Sequence, residues 1–303
     1  MAGEGTPTKP NEIMPDLLNY AWHMKKNGRT ESTITTVTKR LQLIAKQCDL
    51  NDPEDVKTAL AKLQWKNTTK TTAIGDYTAY LRFKGKTWTK PQYQRENQLP
   101  FIPAEQELNT LISAGQPRTA TRLQILKETG ARTGELDKLE WTHIDLERKT
   151  IYITAEKGSN SRILPISNKL IAMLNQLPRT SNKVFNISKE SFRKTYESLR
   201  QRTATKLSNP RLQKIHLHTF RHYKGTMEYH KTKDIIHVKT VLGHKDIEST
   251  MKYINLESAI FSNQDEQYTA KIAHNITEAT QLIETGFDYI TEIDGTKLFR
   301  KRK

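Results

Sequence analysis

Apolar residues recur at helical spacing through the first 85 positions of the chain. Ile34, Val37 and Leu41 are three and four positions apart, so they share one face of a helix. Asp52 precedes Pro53, which places a capping side chain before a residue whose fixed φ suits the first helical turn. The pattern predicts a helical N-terminal domain over residues 1–90, with helices at 14–26, 33–47, 53–63 and 68–83.

The pattern breaks at residues 91–102, where prolines lie among charged residues without a period, a composition typical of a linker. Helical spacing then returns at 104–113, at 120–129 and up to about 141. Residues 149–166 alternate instead on either side of the turn sequence KGSN, which predicts a β-hairpin, and helices resume from 168 to about 258. We expect a mixed α+β second domain over residues 103–262, in a fold that is mainly α with a small β-hairpin or sheet.

Residues 263–303 form a tail with signals of its own. Ile276, Ala279 and Ile283 recur at helical spacing, which predicts a helix over 275–285. The sequence FDYITEIDGTKLFRK then alternates around Asp294 and Gly295, a strong hairpin signal. Two arrangements stay open, since the tail can pack on its own domain or dock on a neighbouring protomer.

The charge of the chain narrows the class of partner. Its 49 Lys and Arg against 33 Asp and Glu give a formal net charge of +16, which suits a polyanion such as nucleic acid but also fits a basic solvated surface. Residues 189–252 hold fifteen Lys or Arg and six Asp or Glu, whereas residues 253–295 hold one and eight. This distribution favours a nucleic-acid site followed by a tail that docks elsewhere.

Several classes of protein are excluded by simpler observations. No apolar run approaches the about 18 residues that a membrane helix requires. The N-terminus lacks the basic and then apolar segments of a signal peptide. Cys48 is the only cysteine, which excludes intramolecular disulfides and multi-cysteine zinc sites. We expect a cytoplasmic protein without membrane association.

The segment 216–253 concentrates residues that can carry chemistry. His218 and Arg221 are three positions apart, so one helix presents both on the same face. Asp234 is predicted to cap a short apolar helix that Gly243 ends, which leaves His244 on the turn beyond it. Asp246 is then predicted to cap the helix that carries the next tyrosine, at position 253.

A second candidate lies upstream. Arg132 stands between two glycines, where bare backbone permits a ligand to approach closely, and Glu135 is its neighbour on the next helical turn. His216, His218 and His222 raise the question of a metal site, but no carboxylate or cysteine falls at ligand spacing with them. The chain also has no GxSxG, P-loop or HExxH motif. We expect neither a metal nor a cofactor.

Taken together, five elements resemble one family. RTGEL, the lysine in EKGSNSRILPI, HTFRH, LGH and a tyrosine nine residues after that LGH histidine occur in the order and spacing of the tyrosine recombinases. These are the phage and archaeal integrases and the Xer-like resolvases. The resemblance covers roughly residues 98–258, and the N-terminal unit matches only as a helical domain in the place of the family's core-binding domain.

The resemblance implies an active site and a role for each of its residues. The site residues would be Arg132, Lys157, His218, Arg221 and His244, with Tyr253 as the nucleophile and Glu135 as a supporting acid. The two arginines would neutralise the phosphate, and the tyrosine would form a phosphotyrosine ester. His218 would exchange a proton with the nucleophile, and His244 would donate a hydrogen bond to a phosphate oxygen. Lys157 would protonate the leaving 5′ oxygen.

The implied function is site-specific recombination of double-stranded DNA by a homotetramer, through a covalent 3′-phosphotyrosine intermediate and a Holliday junction. Such an enzyme would be cytoplasmic and nucleoid-associated. Two alternatives remain, a type IB topoisomerase and a catalytically idle DNA-binding protein. The acidic tail and basic terminus favour the recombinase, because family members exchange a C-terminal element between protomers, and the complete set of six site residues disfavours the idle protein.

Overall fold

The computed structural model describes residues 10–94, 98–156, 158–261, 268–293 and 295–302. The chain divides into two compact units, Met1–Gln98 and Leu99–Lys303, at a boundary inside the segment expected to be a linker. Most of the described residues are helical and the strands form two small antiparallel sheets, so the predicted mainly α fold is confirmed. No helix in these ranges is long and apolar enough to cross a membrane.

The described part of the N-terminal unit contains the four predicted helices. They are α1 (Pro10–Lys26), α2 (Glu31–Ala45), α3 (Pro53–Lys62) and α4 (Asn67–Phe83). The first begins earlier than the apolar pattern indicated. Asp52 caps α3 as expected, because its carboxylate accepts a hydrogen bond from the N–H of Glu54 at 2.9 Å. The helices enclose a core in which Leu41, Ile44 and Tyr80 are fully buried.

The second unit is built around helices from several parts of its sequence. These are α5 (Glu105–Ser113), α6 (Pro117–Thr129), α7 (Thr133–Leu136), α8 (Asn168–Asn175), α9 (Lys189–Lys206), α10 (Leu217–Thr232), α11 (Ile235–Leu242) and α12 (Glu248–Phe261). The apolar faces of α5 to α10 share one core that includes Leu123, Leu126 and Phe220, and α11 contributes Val241 to it. Two smaller clusters lie outside it, one under α12 and one in the tail.

The prediction that the helix continues to about residue 141 is wrong, because α7 ends at Leu136. Its end is decided by distant partners. The carboxylate of Asp137 forms an ion pair with the buried guanidinium of Arg122. The carbonyl of Leu139 accepts a hydrogen bond from the N–H of Val184 at 3.0 Å. The chain therefore turns to pair with residues 182–184 instead of continuing as a helix.

The predicted hairpin is confirmed as two strands of a three-stranded antiparallel sheet. Strands β1 (Ile144–Asp145), β2 (Thr150–Ile153) and β3 (Arg162–Pro165) lie in that order. β2 and β3 pair with Ile151 opposite Leu164, and both side chains face the core. The short strand β1 was not predicted. The loop between β2 and β3 extends toward α7 and α11, so the sheet positions part of the site described below.

The tail folds around a small core of its own. It comprises β4 (Tyr268–Ala273), α13 (Ile276–Glu284), β5 (Asp288–Ile293) and β6 (Thr296–Arg302), with the strands in the order β4-β6-β5. The predicted helix and hairpin are confirmed, whereas β4 was not predicted. Ala273, Ala279, Phe287 and Phe299 are buried together in this core.

The acidic and basic parts of the tail meet in its own sheet. In the register of β5 and β6, Asp288 stands opposite Arg300 and Glu292 opposite Lys297. Opposite charges across an antiparallel pair are favourable. The charge contrast between the acidic block and the basic terminus is therefore partly satisfied within the tail, which the sequence alone did not indicate.

Candidate active site

Helix α10 presents four residues of interest on one face. They are His218, Arg221, His222 and Gly225, at positions i, i+3, i+4 and i+7. The helix begins at Leu217, and the N–H of His216 just before it donates to the hydroxyl of Thr219 at 3.0 Å. This face is directed toward α6, α11 and α12, which carry or hold the other candidates.

Arg221 is buried, with 1% of its surface exposed, and its guanidinium is held by two carbonyl groups. Nη1 donates to the carbonyl of Gly130 at 2.7 Å, and Nη2 donates to that of Leu242 at 2.6 Å. Both acceptors lie at helix C-termini, where the macrodipole favours a cation. Burial and the positive charge of Arg132 lower the pKa of Arg221 to about 9, which leaves it charged at neutral pH.

Arg132 immediately precedes α7, and its backbone is fixed by the helix it begins. Its N–H donates to Glu135 Oε2 at 2.8 Å. Its guanidinium Nη1 lies 3.5 Å from Glu135 Oε1, yet this nitrogen is buried without a hydrogen-bond partner in the described parts of the chain. A donor in that condition is suited to an incoming anion, because leaving it unpaired is costly.

Glu135 lies behind this arginine and connects α7 to the β2–β3 loop. It is fully buried and accepts from Arg162 Nη2 at 2.9 Å and from the hydroxyl of Ser159 at 2.8 Å. Burial alone would raise the pKa of Glu135, but the hydrogen bonds and charge of Arg162 hold it below its usual range. The supporting acid implied by the resemblance is therefore an ionised group that anchors the loop.

Lys157, the expected proton donor, belongs to this loop and lies outside the described residues. The part of the loop that follows Lys157 in sequence is held at the C-terminus of α11, because the N–H of Asn160 donates to the carbonyl of Gly243 at 3.0 Å. Gly243 has φ +67°, and a β-carbon there would lie 2.6 Å from the carbonyl oxygen of Asn160. The glycine is thus required both by the left-handed turn and by the close approach of the loop.

His244 follows this turn and is buried, as the predicted stop at Gly243 places it. Its Nδ1 lies 2.9 Å from the hydroxyl of Thr250 on α12. Burial and the positive charges of Arg221 and Arg132 lower the pKa of His244 to about 3. The imidazole is therefore neutral in the folded protein, with one nitrogen engaged by the helix that carries Tyr253.

The helix α12 begins at Glu248, and its first hydrogen bonds are accepted by the carbonyl of Ile247. The prediction that Asp246 caps this helix is therefore wrong. The chain leaves the turn at His244 through residues 245–247, so Asp246 lies before the first helical carbonyl.

Tyr253 is fully buried at the centre of the arrangement, with 0% of its surface exposed. Its ring lies nearly parallel to that of His244, at an interplanar angle of 5° and a centroid distance of 6.5 Å. Burial raises the pKa of Tyr253 to about 12, against the opposing positive charges of Arg221 and Arg132. The structure thus brings the tyrosine, both arginines and His244 into one site.

His218 lies at the surface of this site and makes an edge-to-face contact with His222, at 4.6 Å between ring centroids. Although its ring is partly exposed, desolvation by its neighbours and the positive charges of Arg221 and Lys252 lower the pKa of His218 to about 4. Its ring nitrogens make no hydrogen bond within the described ranges, so they are available to a ligand.

Three residues of the site were not among the predicted site residues. They are Arg162, His222, which was considered only as a metal ligand, and Lys252. Lys252 is half-buried, and its ammonium lies 5.3 Å from the centroid of the Tyr253 ring. Burial and the charges of the arginines lower the pKa of Lys252. The sequence contains only weak indications of these residues. His222 follows Arg221, Lys252 precedes Tyr253, and Arg162 is the first residue of β3.

A cavity of about 450 Å³ opens beside Arg132 and His218. Helix α9 supplies basic residues to its wall, namely Lys189, Arg193 and Arg200. Among the described residues, no group of three or more His, Cys, Asp or Glu side chains is arranged to hold a metal ion. The site is therefore a concentration of cationic and imidazole groups around a buried phenol, which suits an anionic substrate.

Comparison with known proteins agrees with this chemistry. Residues 103–259 match the Phage integrase family. A putative integrase/recombinase of Haemophilus influenzae is 25% identical over 163 residues, which cover 52% of this chain and 51% of the relative. A tyrosine recombinase of Thermosipho africanus is 24% identical over 273 residues, covering 81% of this chain and 95% of the relative. The chain thus spans about half of one relative and nearly all of the other.

One solved structure shows the same fold. The crystal structure of the lambda integrase bound to DNA matches with a TM-score of 0.64 at 12% identity, over 84% of this chain and 99% of that chain. Identity at this level concerns the fold alone, which is the helical architecture with a small sheet described above.

Proposed function

The chain belongs to the phage integrase family of tyrosine recombinases, and we propose that it cuts and rejoins double-stranded DNA at specific sites. The reaction would proceed through a covalent 3′-phosphotyrosine and a Holliday junction. The supporting observation is the surroundings of Tyr253, a buried phenol close to the charges of Arg221 and Arg132 and beside the imidazole of His244.

The two arginines fit the phosphate that the tyrosine would attack. Attack places additional negative charge on the non-bridging oxygens, which fixed guanidinium groups stabilise without reorganising. Arg221 is held rigidly by two carbonyls, and Arg132 has a buried donor without a partner among the described residues. His218 and His244 are close enough to these charges to complete the phosphate site.

The bonds formed and broken in cleavage balance without a further reactant. The phenolic oxygen of Tyr253 forms the bond to phosphorus as its proton leaves to a base, and the bond from phosphorus to the 5′ oxygen breaks. That oxygen takes a proton, for which we propose Lys157 as the donor. The phosphotyrosine ester conserves the energy of the broken bond, so rejoining is the reverse reaction.

We propose that both units bind DNA. The basic residues of α9 beside the cavity, Lys189, Arg193 and Arg200, would follow the phosphate backbone away from the cleavage point. Residues 1–90 would form the core-binding domain that clamps DNA, with 91–102 as linker and 103–262 as the catalytic domain. Association with the nucleoid in the cytoplasm follows from this substrate.

The tail, residues 263–303, would couple protomers in a homotetramer. Two residues of α13 support this assignment, because Ile276 and Ile283 are 78% and 58% exposed and lie seven positions apart on one face of the helix. The tail also has a small core of its own, formed by Ala273, Ala279, Phe287 and Phe299.

Two assays run side by side test the proposal. A plasmid that carries two recombination sites should give recombinant products, whereas a supercoiled plasmid without a site should remain supercoiled. Efficient relaxation of the site-free plasmid would identify a type IB topoisomerase. Tight DNA binding with neither product would identify an idle DNA-binding protein.

A further inference from the structure

The group that faces the hydroxyl of Tyr253 is His222. Its Nδ1 lies 3.5 Å from the phenolic oxygen, and this is the hydrogen-bond partner of that oxygen in the described structure. The two rings are inclined at 54° with centroids 6.2 Å apart. The resemblance assigns the proton exchange with the tyrosine to His218. In the structure, however, the His218 ring makes its edge-to-face contact with His222.

This geometry is produced by the spacing of residues on α10. His222 and Gly225 are on the same face as Arg221, and the ring of Tyr253 rests on the glycine. Because nothing projects from position 225, the ring approaches α10 closely and its hydroxyl comes within 3.5 Å of His222 Nδ1.

The far end of α12 is fixed independently. Glu257, one turn beyond Tyr253, is buried and accepts from His230 Nδ1 at 2.9 Å. Its carboxylate also forms an ion pair with Lys233, at the C-terminus of α10. These two contacts at Glu257 and the contact of the Tyr253 ring with Gly225 hold α12 against α10, so the fold itself positions the hydroxyl near the imidazole.

We propose that His222 accepts the proton of Tyr253 during cleavage and returns it during rejoining, and that His218 contacts the phosphate. This inference rests on the proposed function. The proton moves from the phenolic oxygen to His222 Nδ1 as that oxygen bonds to phosphorus. The 5′ oxygen departs with the electrons of its bond and takes a proton from a separate donor, so charge and atoms balance.

The electrostatic surroundings of His222 keep its ring in the neutral form, which is the form that can accept a proton. Burial and the positive charges of Lys252 and its neighbours lower the pKa of His222 to about 3, so the ring is neutral before DNA binds. A neutral imidazole that accepts at Nδ1 carries its hydrogen on Nε2. A phosphodiester entering the cluster brings a negative charge that opposes these cations, which strengthens the base when the substrate is present.

The exposure of His218 agrees with a contact to the phosphate, as distinct from the proton transfer assigned to His222. Its ring is partly exposed and has no hydrogen-bond partner among residues that the structure describes, whereas the ring of His222 contacts both His218 and Tyr253. A phosphate bound by Arg132 and Arg221 would meet His218 first.

The test measures single-turnover formation of the covalent complex on DNA nicked near the cleavage point. His222→Asn retains a group that can accept a hydrogen bond from the tyrosine but cannot accept its proton. We expect the rate constant to fall by about 10²-fold or more, with unchanged affinity for DNA. His222→Ala should lose as much, and His274→Asn, an exposed position in the tail, should react at the wild-type rate.

A second substrate separates the nucleophile from the leaving group. DNA with sulfur in place of the bridging 5′ oxygen needs no proton on departure, so a defect in general acid catalysis is repaired by it. The loss in His222→Asn should persist on this substrate. Repair of the rate, or a reduction of less than about threefold on ordinary DNA, would overturn the inference. If the wild type forms no covalent complex on either substrate, the proposed function itself fails.

Discussion

Gly225 and the ring of Tyr253 are in direct contact across two helices. A β-carbon on Gly225 would lie 2.5 Å from the Cζ of the tyrosine, closer than two carbon atoms can approach. The glycine lies in the interior of α10, where it costs helix stability, so its value is in the contact. The ring of Tyr253, the proposed nucleophile, can therefore occupy this position only because residue 225 has no side chain.

We therefore expect Gly225→Ala to displace the tyrosine. Overpacking of this kind costs about 1–3 kcal/mol of unfolding free energy. A shift of about 1 Å in a reacting group can slow a reaction by about 10²-fold, so covalent cleavage should fall by at least about tenfold while DNA binding persists.

Gly75 is the matched control, because it lies inside α4 and a β-carbon at this position would have no atom within 4 Å. Gly75→Ala should raise stability by about 0.5–1 kcal/mol. Thermal unfolding and the trapped-complex assay would measure both variants. Wild-type cleavage by Gly225→Ala would contradict the account.

The buried pair of Glu135 and Arg162 gives a second prediction. Arg162→Met leaves an ionised carboxylate buried beside Arg132, and losing one partner of a buried pair costs about 3–5 kcal/mol. Arg148 offers a control, since it is 86% exposed and lies 3.7 Å from Asp145. Arg148→Met should change stability by less than about 1 kcal/mol. Equal effects in denaturant titrations would show that the buried pair does not hold the loop.

Stability should fall on mild acidification. The pKa values of His244 and His222 are held at about 3, below the value of about 6.5 expected in the unfolded chain. Below pH 6.5 the unfolded state therefore binds more protons, and the free energy of unfolding decreases as the pH falls toward 3. His244→Asn should flatten this decrease between pH 6.5 and 4.5, whereas the exposed His274→Asn should not. A stability that is constant over this range would contradict the assignment of buried neutral imidazoles.

The helices with local signals could be predicted from the sequence. Asp234 and Gly243 bracket α11 as expected, because a cap and a left-handed stop act within one turn of the chain. The short α7 could not be predicted, since its end depends on Arg122 and Val184, which are distant in the sequence. Strand β4 was missed for a similar reason, because its partner β6 lies at the other end of the tail.

The candidate site divides in the same way. Arg132, Arg221 and Tyr253 stand in recognisable motifs, and the fold brings them together. In the sequence His222 stands beside Arg221 and among three histidines considered for a metal site, but its contact with the tyrosine could not be predicted, because that contact arises between two helices. The role of Arg162 likewise depends on its hydrogen bond to Glu135, which lies 27 positions away in the sequence.

The tail prediction concerns synapsis. Truncation after Ser262 removes the β4–β6 sheet and α13 together with their core, so the remaining chain should stay folded and bind a single DNA site. Assembly of two sites and recombination should weaken. The double variant Ile276→Ser with Ile283→Ser should reproduce the loss without removing the tail, because it alters the exposed face of α13.

Binding, synapsis and recombination should be measured on the same preparations. An unfolded truncated protein would show that the tail packs on its own domain. Normal recombination by the truncated protein would show that the tail does not couple protomers.

The proposed role of Tyr253 as the nucleophile is tested most directly by Tyr253→Phe. The substitution removes only a hydroxyl whose hydrogen bond to His222 is long, so the fold and the affinity for DNA should be retained. Tyr223→Phe is the matched control on α10. On DNA nicked near the cleavage point, the wild type and Tyr223→Phe should form a slowly migrating covalent complex, and Tyr253→Phe should form none. A covalent complex formed by Tyr253→Phe would contradict the account and transfer the role to Tyr223 or Tyr229.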